Sequence, residues 1–224
     1  MGKSENNKII VFANQKGGVG KTTLCTMFAN YLVGMQKKVL VVDCDLQQTI
    51  YDKRQKDKLR GLPELYAVQA MPIGDAGKVS AMMEQASSLD GFVLIDAPGN
   101  LTQQGLLPIL VGCDAIACPY QYEMTSINST VTFIKVVNAL RSKMPSMTAQ
   151  LLLIPNRVDR RYGTAQELEL WKKTDETFNS VGKVTPRVAY RADMQRYNSV
   201  ELSAEQGKLV NPCFDFMFRE IFNS

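Results

Sequence analysis

The sequence predicts an α/β fold, with a doubly wound, mostly parallel sheet flanked by helices. Three observations predict it. Short, nearly continuous apolar runs alternate from end to end with segments of helical spacing, the pattern of strands covered on both faces by helices. The first run leads straight into a glycine-rich stretch, NQKGGVGKTT from Asn14 to Thr23, which opens a helical pattern. Acids stand at the ends of later runs, and the carboxyl ends of parallel strands are where such sheets bind ligands.

The first strand is expected over Lys8 to Ala13. After it, Lys16, Gly17, Gly18, Val19, Gly20, Lys21 and Thr22 form a phosphate-binding loop, with Thr23 beside it. Glycines let successive backbone N–H groups face one point, and the start of the following helix adds its positive dipole end. Lys21 offers a charge to β- and γ-phosphates, and Thr22 a hydroxyl to magnesium. Leu24, Met27, Phe28, Tyr31, Leu32 and Met35 give the helix its inner stripe, and Lys37 and Lys38 close it at its negative end.

Val39 to Val42 reads as the second strand. Asp43 and Asp45 follow it, two apart, so both face one way at its carboxyl end. They suit either a magnesium–phosphate site or a helix-entry turn. Tyr51 to Arg60 reads as a helix with Lys53, Lys56 and Arg60 on a solvated face. A short strand is expected over Leu65 to Val68, then a helix over Asp75 to Leu89 with Val79, Met82, Met83 and Ala86 inward. Phe92 to Ile95 makes a fourth strand ending in Asp96, Ala97, Pro98 and Gly99. An acid there holds magnesium through water, and Gly99 lets the loop reshape when a γ-phosphate leaves.

Leu101 to Val111 is expected as a short helix and Ala115 to Cys118 as a strand that Pro119 ends. Glu123 to Arg141 should form a long helix with Ile127, Val131, Ile134 and Val137 inward. Leu151 to Ile154 is a sixth strand, followed by Pro155, Asn156, Arg157, Val158 and Asp159. Ala165 to Val181 reads as a helix with Leu168, Trp171 and Phe178 inward. Val184 begins a last strand, bent by Pro186. Asn211 and Pro212 read as the cap and first turn of a closing helix, whose stripe of Phe214, Met217, Phe218, Ile221 and Phe222 suits core packing.

At 224 residues with no linker or repeat, one domain spanning 1–224 is the economical division. The net charge of +4 permits nucleic-acid contact without demanding it. The chain has no histidine, which excludes His bases and His-ligated metals, and its five cysteines form no CxxC pair, which argues against zinc. Buried, reduced thiols in a cytoplasmic protein are the plain reading. Met1 to Lys8 is polar, with no signal-peptide core, and no apolar stretch is long enough to span a membrane.

The loop departs from the general pattern: Gln15 stands where a glycine is usual, and Lys16 precedes the paired glycines. In this it resembles the deviant phosphate loop of the ParA/MinD family of partition and positioning ATPases. The Asp43/Asp45 pair, the Asp96 segment and Asn156 extend the resemblance along nearly the whole chain, though Leu46 replaces the family's usual proline. The resemblance implies an ATP- and Mg2+-dependent sandwich homodimer. Lys16 would reach the partner's phosphates, Asp45 would orient the attacking water, Asp43 and Asp96 would serve the metal, and Asn156 would read the adenine edge. It further implies non-specific DNA binding, with Arg187, Arg191 and Arg196 as candidates, and release by an activating partner protein. The short lead-in before the first strand points to the small, nucleoid-associated type found on plasmids and mobile elements. A positioning ATPase for a protein cargo and a metabolic enzyme of the same superfamily are the alternatives, and Asn156 to Asp159 leaves guanine as a minor one.

Overall fold

The structure, a computed structural model, describes residues 6–100, 102–159 and 163–222. Seven strands form one sheet: β1 (Lys8–Phe12), β2 (Val39–Asp43), β3 (Ala67–Ala70), β4 (Phe92–Asp96), β5 (Ala115–Tyr120), β6 (Gln150–Pro155) and β7 (Lys183–Val184). Their order is β3-β2-β4-β1-β5-β6-β7, and every pairing is parallel. The helices are α1 (Lys21–Gly34), α2 (Thr49–Leu59), α3 (Ala76–Ser88), α4 (Leu106–Gly112), α5 (Met124–Lys143), α6 (Ala165–Asn179) and α7 (Ala204–Phe222).

Alternation along β1 divides the core. Ile9 and Val11 face a layer with Val79 and Met83 of α3, Ile109 of α4 and Phe133 and Val137 of α5. Ile10 and Phe12 face the other layer, with Leu24 and Phe28 of α1, Ile50 of α2 and Phe214 and Met217 of α7. The sheet is therefore doubly wound, as the apolar runs predict. The chain builds outward from β1 in one direction, then crosses back over it to β5. That reversal opens a crevice at the carboxyl end of β1. There Phe12 pairs with Asp96, and Asp96 pairs with Asp43, so the two acids and the start of the glycine loop share one level.

Several expected boundaries move. β3 lies two residues later than expected. Pro119 does not end β5 but sits inside it, opposite Ile154, where its carbonyl accepts from the Asn14 amide. α4 begins at Leu106, with Pro108 in its first turn, and Leu101 lies outside the described residues. Leu168 is not inward but 37% exposed; Trp171 stacks on Tyr122 instead. Asn211 and Pro212 do not start the last helix, which begins at Ala204 and carries Pro212 inside. Its start is fixed by a reciprocal cap, Gln206 N–H to Ser203 Oγ and Ser203 N–H to Gln206 Oε1. Among the described residues no helix is long and apolar enough to cross a membrane.

Candidate functional site

The glycine loop takes its shape from two left-handed residues, Gly18 at φ 78° and Gly20 at φ 102°. Gly20 is also pressed against Asn156: a Cβ there would lie 2.3 Å from Asn156 Nδ2. Helix α1 starts at Lys21 with no side-chain cap and no acid in its first turn, so its leading N–H groups remain available to an anion. The loop's entry is strapped by Asn14, which is fully buried. Its amide donates to Pro119 O and Thr130 Oγ1, and its own oxygen accepts from Lys16 N–H. Gln121 reaches toward the loop from β5, with its amide 3.4 Å from Gly18 O.

A cleft of about 280 Å³ lies over the loop, bounded by Gly17, Lys21, Thr22, Asp45, Gly99 and Arg157. Lys21 is buried, and its Nζ donates to Lys16 O at 3.2 Å. Burial pulls its pKa down, while Asp96 and Asp45 oppose the fall. Lys16 is half-buried, and no acceptor meets its ammonium among the described residues. Asp45 lines the cleft half-buried, with Oδ1 accepting from Gln47 N–H.

Asp96 and Asp43 differ sharply. Asp96 is 1% exposed, and neither carboxylate oxygen meets a hydrogen bond of ordinary geometry. Burial pushes its pKa up to about 8, with Asp43 adding to the rise and the nearby Thr22 hydroxyl and Lys21 opposing it. An enclosed carboxylate without partners is costly, and a divalent cation held with Thr22 and phosphate oxygens would relieve it. The residues thus fit Mg2+. Asp43 is equally buried but already engaged: Oδ2 accepts from Ile50 and Tyr51 N–H, Oδ1 from Asp45 N–H. It therefore also holds the first turn of α2. The backbone amides of α2 reach the carboxylate first.

Asn156 is 5% exposed and donates from Nδ2 to Val19 O at 2.7 Å, so it braces the loop while bordering a narrow slot with Gly20 and Thr23. The three arginines separate. Arg187 is paired with Asp175 at 2.7 Å and lies over the Tyr122 and Trp171 rings, which removes it from an open basic face. Arg191 and Arg196 are exposed. Sequence reasoning missed Asn14, Gln121 and the cleft position of Arg157. Only Asn14 left a trace, as the first letter of the loop stretch.

The model of the CobQ/CobB/MinD/ParA nucleotide binding domain matches residues 10–200. The chromosome-partitioning ATPase Soj of Thermus thermophilus is 28% identical over 184 residues, covering 71% of this chain and 73% of Soj. Among solved structures, apo McdA of Cyanothece superposes with a TM-score of 0.75 at 18% identity, covering 96% of this chain and 99% of McdA. A plasmid partition protein of Borrelia burgdorferi bound to AMPPNP gives 0.69 at 17% identity, covering 96% and 100%. With the family model running from β1 to beyond the exposed arginines, this chain belongs to the CobQ/CobB/MinD/ParA nucleotide-binding domain family.

Proposed function

We propose that the protein is an ATPase of the DNA-partition type that binds ATP with Mg2+, dimerises on it and holds DNA non-specifically in that state. The observation that carries the reading is the buried Asp96, whose oxygens meet no hydrogen bond of ordinary geometry among the described residues, beside Thr22 and Lys21 at an uncapped helix start. A cation entering with an anion would relieve the cost of ionising it there. Lys21 and the first N–H groups of α1 hold the β- and γ-phosphates. Asp45, at the edge of the cleft, orients water for attack on the γ-phosphorus, and the bond to the β-bridging oxygen breaks to give ADP and phosphate. Thr22 and Asp96 would hold Mg2+, which would supply charge neutralisation at the phosphates. Lys16, without a partner of its own, supplies a cation to the second protomer's phosphates, a contribution worth roughly 10³ to 10⁵ in rate where other NTPases use an arginine in that role.

Adenine is favoured over guanine because Asn156 borders the slot, whereas Asp159 lines the neighbouring groove with Trp171 and not the slot. The partition reading draws on the functions named for Soj and the Borrelia protein. It carries with it an activating partner protein and a place on the nucleoid in the cytoplasm.

The test is a gel shift on unrelated DNA with ADP and with ATP, beside phosphate release and light scattering. ATP alone should give a dimer and a salt-sensitive shift. Lys16→Ala should keep nucleotide binding and lose turnover. A monomer with no affinity for adenine nucleotides overturns the reading.

A further inference from the structure

Arg157 borders three depressions: the phosphate cleft, the slot beside Asn156, and a groove with Tyr122 and Trp171. It lines the phosphate cleft with Gly17 and Lys21, and it lines the slot with Asn156 and Tyr190. Gly20 and Thr23 are common to both. Its backbone is left-handed, at φ 56°. The reason is local: Asn156 is tied to Val19 O on one side, and Val158 N–H is tied to Val188 O on the other. Between these fixed points the chain turns, and the side chain of Arg157 is sent over the loop. It is exposed, and no acceptor meets its guanidinium among the described residues. Tyr190 forms another part of the rim and is 50% exposed. The segments carrying the two are held side by side by the Val158–Ala189 bridge and by Tyr190 N–H to Val158 O.

The slot itself offers about 10 Å³, the room of roughly one water. A purine enters only if the rim swings aside. The phosphate end is already supplied with Lys21 and a helix start, whereas among the described residues no other cation lines the slot. We propose that Arg157 binds the adenosine end of the nucleotide, its planar guanidinium leaving the slot to lie on the purine face, with Tyr190 closing the rim. This rests on the nucleotide reading above and adds to it a base-clamping residue. A guanidinium on an aromatic face is worth up to about tenfold or more in affinity when desolvated.

Calorimetric titration of wild type and Arg157→Gly with ATP, ADP and inorganic tripolyphosphate tests the assignment. Glycine accepts φ 56° without strain, and Arg157→Asn, which also tolerates that conformation, is the second variant. The expected result is a loss of about tenfold for ATP and ADP alike, with tripolyphosphate unchanged and the melting temperature not lowered. Unchanged ATP affinity overturns the assignment. So does a parallel loss for tripolyphosphate, which would make Arg157 a phosphate ligand. If wild type binds neither ATP nor tripolyphosphate, the nucleotide reading itself has failed.

Discussion

Asp96 carries its proton in the folded, nucleotide-free protein up to about pH 8, whereas an unfolded aspartate gives it up near pH 4. Between those values the folded state binds the extra proton, so stability falls as pH rises, by up to about 1.4 kcal/mol per unit. The penalty is absent below about pH 4 and complete above about 8. Asp43, pushed up by the same burial, adds a contribution of the same sign. Nucleotide-free Asp96→Asn should therefore be more stable than wild type at neutral pH, with a flatter dependence between pH 5 and 8. Thermal melts across that range measure it; an equally steep slope in the variant would show that Asp96 ionises freely. Gly20 is confined at the same scale, by its φ and by Asn156 at once, so its place in the loop is structural as well as functional.

Helix α2 is the element that sequence describes least well. Lys53, Lys56 and Arg60 read as a solvated face, yet Lys53 donates to Tyr197 O, and beside them Arg54, for which no role was expected, is 2% exposed, bonded to Tyr66 O and Ser199 O. Asp57 accepts from both the N–H and the hydroxyl of Ser199. Lys56 and Arg60 are exposed as expected. Asp57→Ala should strand the Ser199 donors and cost about 1–3 kcal/mol, with faster proteolysis in the 196–203 segment. Urea denaturation and mass-mapped digestion check both. The partners at Tyr197 and Ser199 lie more than 140 residues away in sequence, which is why no local pattern announces them. Strands such as Phe92–Asp96 were legible because both faces are covered and the residues are apolar up to the closing Asp96. The glycine loop was legible because its backbone demands specific residues. Pro212 misled because proline is a local stop signal, while the Ser203–Gln206 cap and the buried stripe of Val210, Phe214, Met217 and Ile221 keep α7 continuous.

For the whole molecule, the division among the arginines decides how the proposed DNA binding should respond. Arg187 ties the segment after β7 to Asp175 on α6, and that acid also accepts from the Tyr120 and Tyr122 hydroxyls. Arg187→Ala should lower the melting temperature. A double change, Arg191→Ala with Arg196→Ala, should leave the melting temperature nearly unchanged and weaken ATP-dependent DNA binding with a shallower salt slope. Full binding by the double variant would place the DNA contact elsewhere.

All five cysteines are reduced and buried, and burial pushes the thiols of Cys25, Cys44, Cys118 and Cys213 up. A thiolate is the reactive form, so alkylating reagents find these sulfurs only when the fold opens. Cys25 lies in α1, Cys44 between the two acids and Cys118 in β5, so three of them surround the crevice. The molecule therefore contains its own stopwatch: the pace at which each sulfur is tagged reads how often that wall of the crevice comes apart.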